Sequence, residues 1–275
     1  MRSVISTYDP LRMMALSPVR PNTRWVFRLA LLGGMWGCAS TPDFVPMTAE
    51  ELWEEGVVAY DAEEWDEAIQ VLERFAAQNP GHPRSEEARM RIARAHSGRS
   101  EYVTAASEFE RFLQLYRNHG LAPEASLGVC ESYAALSPDA QRDQEYTRRA
   151  EDECGATWLE FRGLTVAETA DSIRAVMEDR LAQRAFQEAQ FYGRFVPVAA
   201  PDYFGLVVSE YGGTAWAPRA LLEIYQIYVS FGWEPEAEEA SARLLTEYPD
   251  SGPAQELSAE LGEAGGPGAA AGVDP

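Results

Sequence analysis

Three cysteines, Cys38, Cys130 and Cys154, are the residues of this 275-residue chain with the widest range of possible chemistry. A cysteine thiol can be acylated, can pair with a second thiol, or can bind zinc together with other cysteines and histidines. Zinc sites need clustered ligands, and the chain has only three cysteines and three histidines, with no ligand spacing between them. We therefore predict no metal and no cofactor, which leaves acylation and disulfide formation.

The other polar residues form no pattern typical of an enzyme. His82 and His119 fall in predicted turns, and His96 falls on the buried side of a predicted helix. The G-x-S-x-G, Walker and H-E-x-x-H motifs are absent from the sequence. Carboxylates are abundant, but their runs are typical of solvated helix faces. The sequence therefore predicts a protein that is not an enzyme.

Residues 1–37 have the pattern of a secretory signal peptide that is removed. Arginines precede the uncharged stretch 29–37, whose nine residues are too few for a membrane-spanning helix. Gly37 before Cys38 resembles a bacterial lipobox, in which the cysteine is acylated and becomes the new N-terminus. A plain secretory signal with an incidental cysteine is the alternative. We expect residues 38–47 to form a short lipidated tether.

The charge balance argues against nucleic acid as a partner. Acidic residues number 44 against 23 arginines, with no lysine, and the formal net charge is -21. Residues 1–37 hold five arginines and one aspartate, so their removal deepens the charge to about -25. Nucleic-acid binding depends on clustered positive charge, which this composition does not supply.

From residue 48 onward the pattern is helical, because alternating β-branched runs are scarce. Capping boxes at Thr48–Glu51 and Thr165–Glu168 predict two helix starts. The segment from Thr165 to about Gly193 has no internal proline or glycine, and its apolar stripe predicts one long helix that links two halves rigidly. Residues 256–275 are rich in small residues and proline, and we predict that they are disordered.

The helical region contains internal repeats. The first two copies share the spacing of their small and aromatic residues at an offset of 37, so that Ala68 corresponds to Ala105. This pattern is typical of tetratricopeptide repeats (TPRs), in which small residues let two antiparallel helices approach each other. Three weaker copies follow. The first of them, which is the third repeat, carries an insert at 137–144. The predicted fold class is all-α, a TPR α-solenoid of about five helix-turn-helix repeats over residues 48–255.

The chain resembles the BamD family of outer-membrane lipoproteins, which belong to the β-barrel assembly machinery. The features that carry the resemblance are the lipobox at Cys38, the five repeats, the insert sequence from Gln141 to Ala150, and the ending from Glu247 to Ser251. Together they cover about 38–255. A different TPR lipoprotein, in pilus assembly or in cell-envelope or division coordination, is the alternative, and such proteins would lack the insert.

The resemblance implies where the protein acts and with what. The lipid on Cys38 would hold the scaffold on the periplasmic face of the outer membrane, and Ala39 after the cysteine agrees with outer-membrane sorting. The C-terminal repeats would dock on the periplasmic domains of a BamA-like barrel subunit, with accessory Bam lipoproteins as further partners. The N-terminal repeats would receive extended segments of unfolded outer-membrane proteins.

Solenoid geometry predicts which side chains would meet such a client, because the first helices of the repeats line the concave face. An aromatic group and a flexible methionine suit an apolar anchor, and an arginine suits a terminal carboxylate. Ordinary packing or solvated positions are the alternative. The predicted residues, on the first helices of repeats one to three, are Trp53, Val57, Tyr60, Met90, Arg94, Val129 and Ser132.

Two pairs of side chains in the third repeat carry further expectations. The resemblance implies that Arg142 and Asp143, in the insert, contact a partner, and a local ion pair that shapes the loop is the alternative. Cys130 and Cys154 fall on the two helices of this repeat. They could form a disulfide in the oxidising periplasm, but the favoured hypothesis is that both are small, buried, apolar side chains.

Overall fold

A computed structural model of the chain describes residues 47–264. The predicted signal peptide, Cys38 and all but the last residue of the tether lie outside the described residues, as do residues 265–275. The described part contains α-helices, one 3₁₀ turn (Pro197–Ala199) and no strand. The helices are α1 (Ala49–Asp61), α2 (Trp65–Gln78), α3 (Ser85–Gly98), α4 (Tyr102–Tyr116), α5 (Ala122–Leu136), α6 (Glu145–Glu160), α7 (Thr165–Phe195), α8 (Ala200–Glu210), α9 (Trp216–Phe231), α10 (Glu234–Glu247) and α11 (Gly252–Ala264).

The helices are arranged in two layers. Each helix packs against the next along the chain, and each odd-numbered helix also contacts the next odd-numbered helix. Within residues 47–264, the even-numbered helices make no comparable contact with one another. The odd helices therefore form a continuous inner layer, as expected when first helices line one face of a solenoid. This arrangement confirms the predicted fold class: five pairs, from α1–α2 to α9–α10, followed by α11.

The offset of 37 between the first two repeats reappears in their packing. Phe75 and Phe112 are both fully buried, and the rings of His82 and His119 meet them edge-on at centroid distances of 5.1 Å and 5.8 Å. In each histidine, Nδ1 accepts a hydrogen bond from the backbone N–H two residues later, at 3.2 Å and 3.1 Å. These histidines therefore belong to the connecting turns, as the sequence predicted.

Only one of the two predicted capping boxes forms. The Glu51 N–H donates to Oγ1 of Thr48, and the Thr48 N–H donates to Oε2 of Glu51 at 2.7 Å, which lowers the pKa of Glu51. The second prediction is wrong, since α7 begins after Leu164 with no side-chain cap. Gly163 adopts a positive φ of 88° and Leu164 is extended, so Thr165 is already the first helical residue.

Replacing Thr48 by alanine is expected to lower the melting temperature by roughly 2–4 °C, because α1 loses its N-terminal cap. Thermal unfolding followed by circular dichroism measures the change. Thr165→Ala is the matched control, since Thr165 makes no capping bond. Equal melting temperatures for wild-type protein and Thr48→Ala would show that the cap contributes nothing to stability.

The predicted long helix is confirmed as α7, whose 31 residues span about 46 Å. It packs against α5 and α6, which precede it, and against α8 and α9, which follow it, so it connects the two halves of the solenoid. Met177, Leu181 and Ala189 of the predicted apolar stripe are buried. Val176 and Tyr192 were expected to belong to the same buried stripe, but they are exposed.

The end of the solenoid differs from the prediction. Residues 256–264 were expected to be disordered, but they continue α11, which runs to Ala264. Ala254 and Leu257 are fully buried in a core cluster with Leu221 and Ile224 of α9, so this helix covers an apolar face of α9 that would otherwise meet water. Within residues 47–264, no helix has both the length and the apolar character that crossing a bilayer requires.

Candidate partner-binding surfaces

Four of the side chains predicted to face a client are buried: Trp53, Met90, Val129 and Ser132. The expectation that these four side chains line an accessible face is wrong, because an inner helix buries the sides that meet its neighbours. Met90 and Val129 pack in one core cluster with Phe109 and Phe112, and the Ser132 hydroxyl donates to the Gly128 carbonyl at 2.6 Å. These positions therefore stabilise the scaffold.

Trp53 instead belongs to a stack of rings and guanidinium groups between the first two repeats. The guanidinium groups of Arg84 and Arg91 lie over its ring at 5.2 Å and 5.0 Å, and the ring of Phe75 packs beside it at 5.5 Å. Arg91 also lies 5.7 Å from the ring of Tyr60. Such cation–π contacts are favourable when partly desolvated. The stack therefore joins α1 to α3.

Val57, Tyr60 and Arg94 are the predicted residues that stay at the surface of the inner layer. Arg94 already holds a carboxylate, because it pairs with Glu124 of α5. Desolvation raises the pKa of Glu131, further along α5, and the charge of Arg94 opposes that rise. An incoming carboxylate would therefore have to compete with Glu124 for this guanidinium.

Two arginines of α7 hold the insert between α5 and α6 in place. Arg180 donates from one Nη to the Ser137 carbonyl at 3.0 Å and to the Ser137 hydroxyl at 2.6 Å. One turn further, Arg184 donates to the Gln141 carbonyl at 3.3 Å. The insert is thus fixed at two points on the long helix, and it presents its outward side chains from a defined backbone.

Gln144 supports the same insert from inside. Its buried amide donates to the carbonyls of Asp139 and Arg142 at 2.8 Å and 3.0 Å. Asp143 accepts the backbone N–H of Glu145, the first residue of α6, at 2.8 Å. In the described residues Arg142 and Asp143 form no ion pair, so that alternative is wrong. Sequence reasoning missed Gln144, because nothing in a polar loop signals that one amide is buried.

A cluster of exposed apolar side chains, also missed by sequence reasoning, lies where α7 meets α8. Phe191, Tyr192 and Phe195 are 56%, 43% and 70% exposed. The ring of Tyr192 stacks on Tyr203 of α8 at 4.5 Å with an interplanar angle of 11°. Leu206, which follows Tyr203 by one helical turn on α8, is also exposed. We call these five residues the aromatic patch. Contiguous exposed apolar surface of this kind is typical of interaction sites.

A groove of about 360 Å³ opens beside this patch, between the insert, α6, α7 and α8. Tyr203 and Leu206 line it and therefore belong to both features. Three arginines from three different elements also line it, and we call it the arginine groove. They are Arg142 of the insert, Arg148 of α6 and Arg184 of α7.

Cys130 of α5 and Cys154 of α6 form a disulfide. Both are fully buried, next to Ala170 at the start of α7. The favoured hypothesis of two free thiols is therefore wrong. The close packing of α5 on α6 brings the two Cα atoms to 4.8 Å, within the range that a disulfide spans.

Within residues 47–264, no group of three or more cysteine, histidine, aspartate or glutamate residues could hold a metal ion. The third histidine, His96, pairs through Nδ1 with Glu101 at 2.8 Å. It thereby connects the end of α3 to the turn before α4.

Paired helices in two layers, with an anchored insert and an exposed aromatic patch, define a helical-repeat scaffold of the TPR class. The chain belongs to the YfiO family, described as outer membrane lipoproteins, whose model matches residues 46–244. This membership confirms the predicted resemblance to BamD.

The sequence is similar to two relatives named outer membrane protein assembly factor BamD. The protein of Rickettsia prowazekii is 24% identical over 218 residues, which cover 78% of this chain and 87% of that one. The protein of Caulobacter vibrioides is 24% identical over 223 residues, which cover 80% and 73%. Among solved structures, the TPR2AB domain of yeast Sti1 aligns with a TM-score of 0.44 at 15% identity, over 78% of this chain and 83% of that one.

Proposed function

We propose that this protein is a lipid-anchored scaffold on the periplasmic face of the outer membrane that serves the assembly of outer-membrane proteins. Its membership of a family of outer membrane lipoproteins and its similarity to two outer membrane protein assembly factors support this role. The observation that carries the mechanism is the aromatic patch, because exposed rings on a rigid helix are typical anchors of protein interfaces.

The aromatic patch binds the periplasmic domains of a BamA-like barrel subunit, which inserts the client. The inner layer of the first three repeats receives extended segments of unfolded outer-membrane proteins, with Val57 and Tyr60 as apolar contacts and Arg94 as the cationic one. Accessory Bam lipoproteins bind other faces of the solenoid. The scaffold acts by holding client and barrel subunit close together, which raises their effective concentration.

Affinity capture from solubilised membranes tests this proposal. The full-length protein, tagged at its C-terminus and expressed in its own organism, is expected to recover the barrel subunit and accessory lipoproteins. A capture that contains no barrel subunit, under conditions that recover the tagged protein itself, would show that the proposal is wrong.

Replacing Cys38 by serine is expected to move the protein from the membrane fraction to the soluble periplasmic fraction. A lipoprotein is anchored by two or three acyl chains on this cysteine, and no such anchoring survives without them. Fractionation followed by immunoblotting measures the distribution. Ser40→Ala is the matched control, because it keeps the cysteine. Membrane fractionation that Cys38→Ser leaves unchanged would contradict the lipobox.

The double substitution Phe191→Ser/Phe195→Ser is expected to weaken binding of the barrel subunit at least tenfold, which corresponds to about 1.4 kcal/mol. Both rings are exposed, so the fold does not depend on them. Quantitative capture measures the effect. Leu115→Ser/Leu159→Ser removes two equally exposed apolar side chains elsewhere and should leave capture unchanged. Equal losses in both variants would exclude a specific role for the patch.

A further inference from the structure

Glutamine side chains are concentrated in two cavities along the inner layer. The first cavity, of about 470 Å³, lies between the insert and α7, and the second, of about 540 Å³, lies between α7, α9 and α11. Five of the ten glutamines of the chain line these cavities. They are Gln141 of the insert, Gln183, Gln187 and Gln190 of α7, and Gln226 of α9. The two cavities therefore share one polar chemistry.

The three glutamines of α7 lie on one face of that helix. Spacings of four and three residues place them one above another, and the helical rise separates them by about 6 Å and about 4.5 Å along the axis. Gln187 lines the first cavity and Gln190 lines the second. The row therefore leads from one cavity to the other, and we call Gln183, Gln187 and Gln190 the amide row.

The amide row makes no hydrogen bond to the rest of the described protein. Within residues 47–264, the side chains of α7 that donate hydrogen bonds are threonine, serine and arginine, and those that accept them are carboxylates. Gln190 is exposed, and Gln183 and Gln187 are half-buried. Each amide therefore keeps its donor and its acceptor for a ligand.

A glutamine amide offers the same donor and acceptor groups as a backbone peptide group. In an extended polypeptide, the backbone groups of every second residue point to the same side, about 6.7 Å apart. The axial spacing of Gln183 and Gln187 is close to this repeat, and the flexible side chains cover the difference. Main-chain hydrogen bonds to an extended peptide provide affinity without reading its side chains.

The charged groups of the two cavities agree with an uncharged partner. Each cavity is lined by two carboxylates and one guanidinium group. Arg180 already donates to Ser137, and Arg219 lies over the ring of Trp216 at 4.8 Å. The carboxylates accept hydrogen bonds from backbone N–H groups and repel an acidic ligand. They are Asp139 and Asp179 in the first cavity, and Glu223 and Glu256 in the second.

We infer that the amide row binds the backbone of an extended polypeptide segment, independently of its side chains. The inference rests on the proposed function, in which the first three repeats receive unfolded outer-membrane proteins. It extends the path of the client along α7 toward α11. Clients that differ in sequence share the same backbone, so one row of amides serves all of them.

The test measures binding of a labelled peptide to the full mature chain. The probe is an uncharged twelve-residue peptide of alternating serine and valine, with both termini blocked. Gln183→Ala/Gln187→Ala/Gln190→Ala is expected to bind it at least tenfold more weakly than the wild-type chain, because three hydrogen-bonding partners are lost. Gln70→Ala/Gln78→Ala/Gln114→Ala is the matched control, since it removes three exposed amides from α2 and α4. The control should bind the probe as the wild-type chain does.

A second peptide shows whether the backbone is recognised. It has the same sequence and is N-methylated at its six central residues, so it lacks the N–H donors there while it keeps every side chain. The wild-type chain should bind this copy at least tenfold more weakly than the probe. The triple variant of the amide row should weaken its binding little further, because the two changes remove the same hydrogen bonds.

The outcomes separate the inference from the proposed function. If the amide-row variant binds the probe as tightly as the control, or if the N-methylated copy binds as tightly as the probe, the inference is wrong. A wild-type chain that binds an unfolded outer-membrane protein of the same organism but not the probe would also overturn the inference, and the client role would stand. If it binds neither, both are wrong. Equal melting temperatures of the chains confirm that all of them are folded.

Discussion

Removing the disulfide with Cys130→Ala/Cys154→Ala is expected to lower the free energy of unfolding by about 3.5 kcal/mol. The bridge closes a loop with a sequence separation of 24, and the restriction of the unfolded chain by such a loop accounts for this value. Alanine leaves no unpaired polar atom at these fully buried positions. Urea unfolding of the wild-type and variant proteins measures the difference.

Reductant provides the control for this prediction. Wild-type protein should lose the same stability when it is unfolded with a phosphine reductant, whereas the double variant should not respond. Mass spectrometry of the non-reduced chain is expected to find no free thiol on Cys130 or Cys154. Two free thiols, together with wild-type unfolding that is insensitive to reductant, would show that the protein does not form the bridge.

The position of the bridge connects stability to the binding surfaces. Cys130 and Cys154 join α5 to α6 next to Ala170 of α7. The same long helix holds the insert through Arg180 and Arg184, and it ends in the aromatic patch. Loosening the third repeat would therefore reach both the arginine groove and the patch, so a stable third repeat is a condition for their geometry.

The sequence predicted the helices and repeats well, because their signals are local. A fixed offset between Ala68 and Ala105 requires two similar helix pairs, whatever surrounds them. The unbroken segment after Thr165 likewise requires one long helix. The predicted cap of that helix was wrong, since the chain turns at Gly163 and the helix starts one residue earlier than the Thr–Glu spacing indicates.

Burial was harder to predict, because it depends on where neighbouring helices lie. Periodicity placed Tyr192 in the apolar stripe of α7, but it is exposed, and its ring contacts are Tyr203 of α8 and the neighbouring Phe191. Conversely, Met90 lies on an inner helix and is fully buried, because α3 is enclosed by its neighbours. A repeat pattern identifies the layer of a helix and does not identify the face that the next repeat covers.

For the candidate sites, too, local features were predicted from the sequence, whereas features that depend on helix packing were not. The insert was located correctly, and a partner contact by Arg142 stays a prediction. Asp143 was paired with it by adjacency in sequence, but the backbone turns this side chain toward the start of α6. The arginine groove could not be predicted, because Arg148 and Arg184 join Arg142 only through the packing of α6 and α7.

Gly128→Val is expected to lower the free energy of unfolding by roughly 3 kcal/mol, the upper end of the usual cost of overpacking a core. A Cβ atom at Gly128 would lie 2.6 Å from Cε2 and Cζ of Phe109, a buried ring of α4. The small residues that the repeat pattern places at helix crossings are thus required by contact. Urea unfolding measures the loss. Gly205→Val is the matched control, because a Cβ atom there meets nothing within 4 Å.

A double-mutant cycle shows whether the ring is the cause. Phe109→Ala alone should cost about 3–5 kcal/mol through the cavity it leaves. Adding Gly128→Val to it should cost much less than in the wild-type background, because the valine then enters that cavity and the two effects are not additive. If the loss from Gly128→Val is the same with and without the Phe109 ring, the clash is not its origin. The small residue at this crossing would then be required for backbone reasons. The same test at Gly56 would decide whether that holds in the first repeat, because a Cβ atom at Gly56 would lie 2.6 Å from Cδ2 of Leu72.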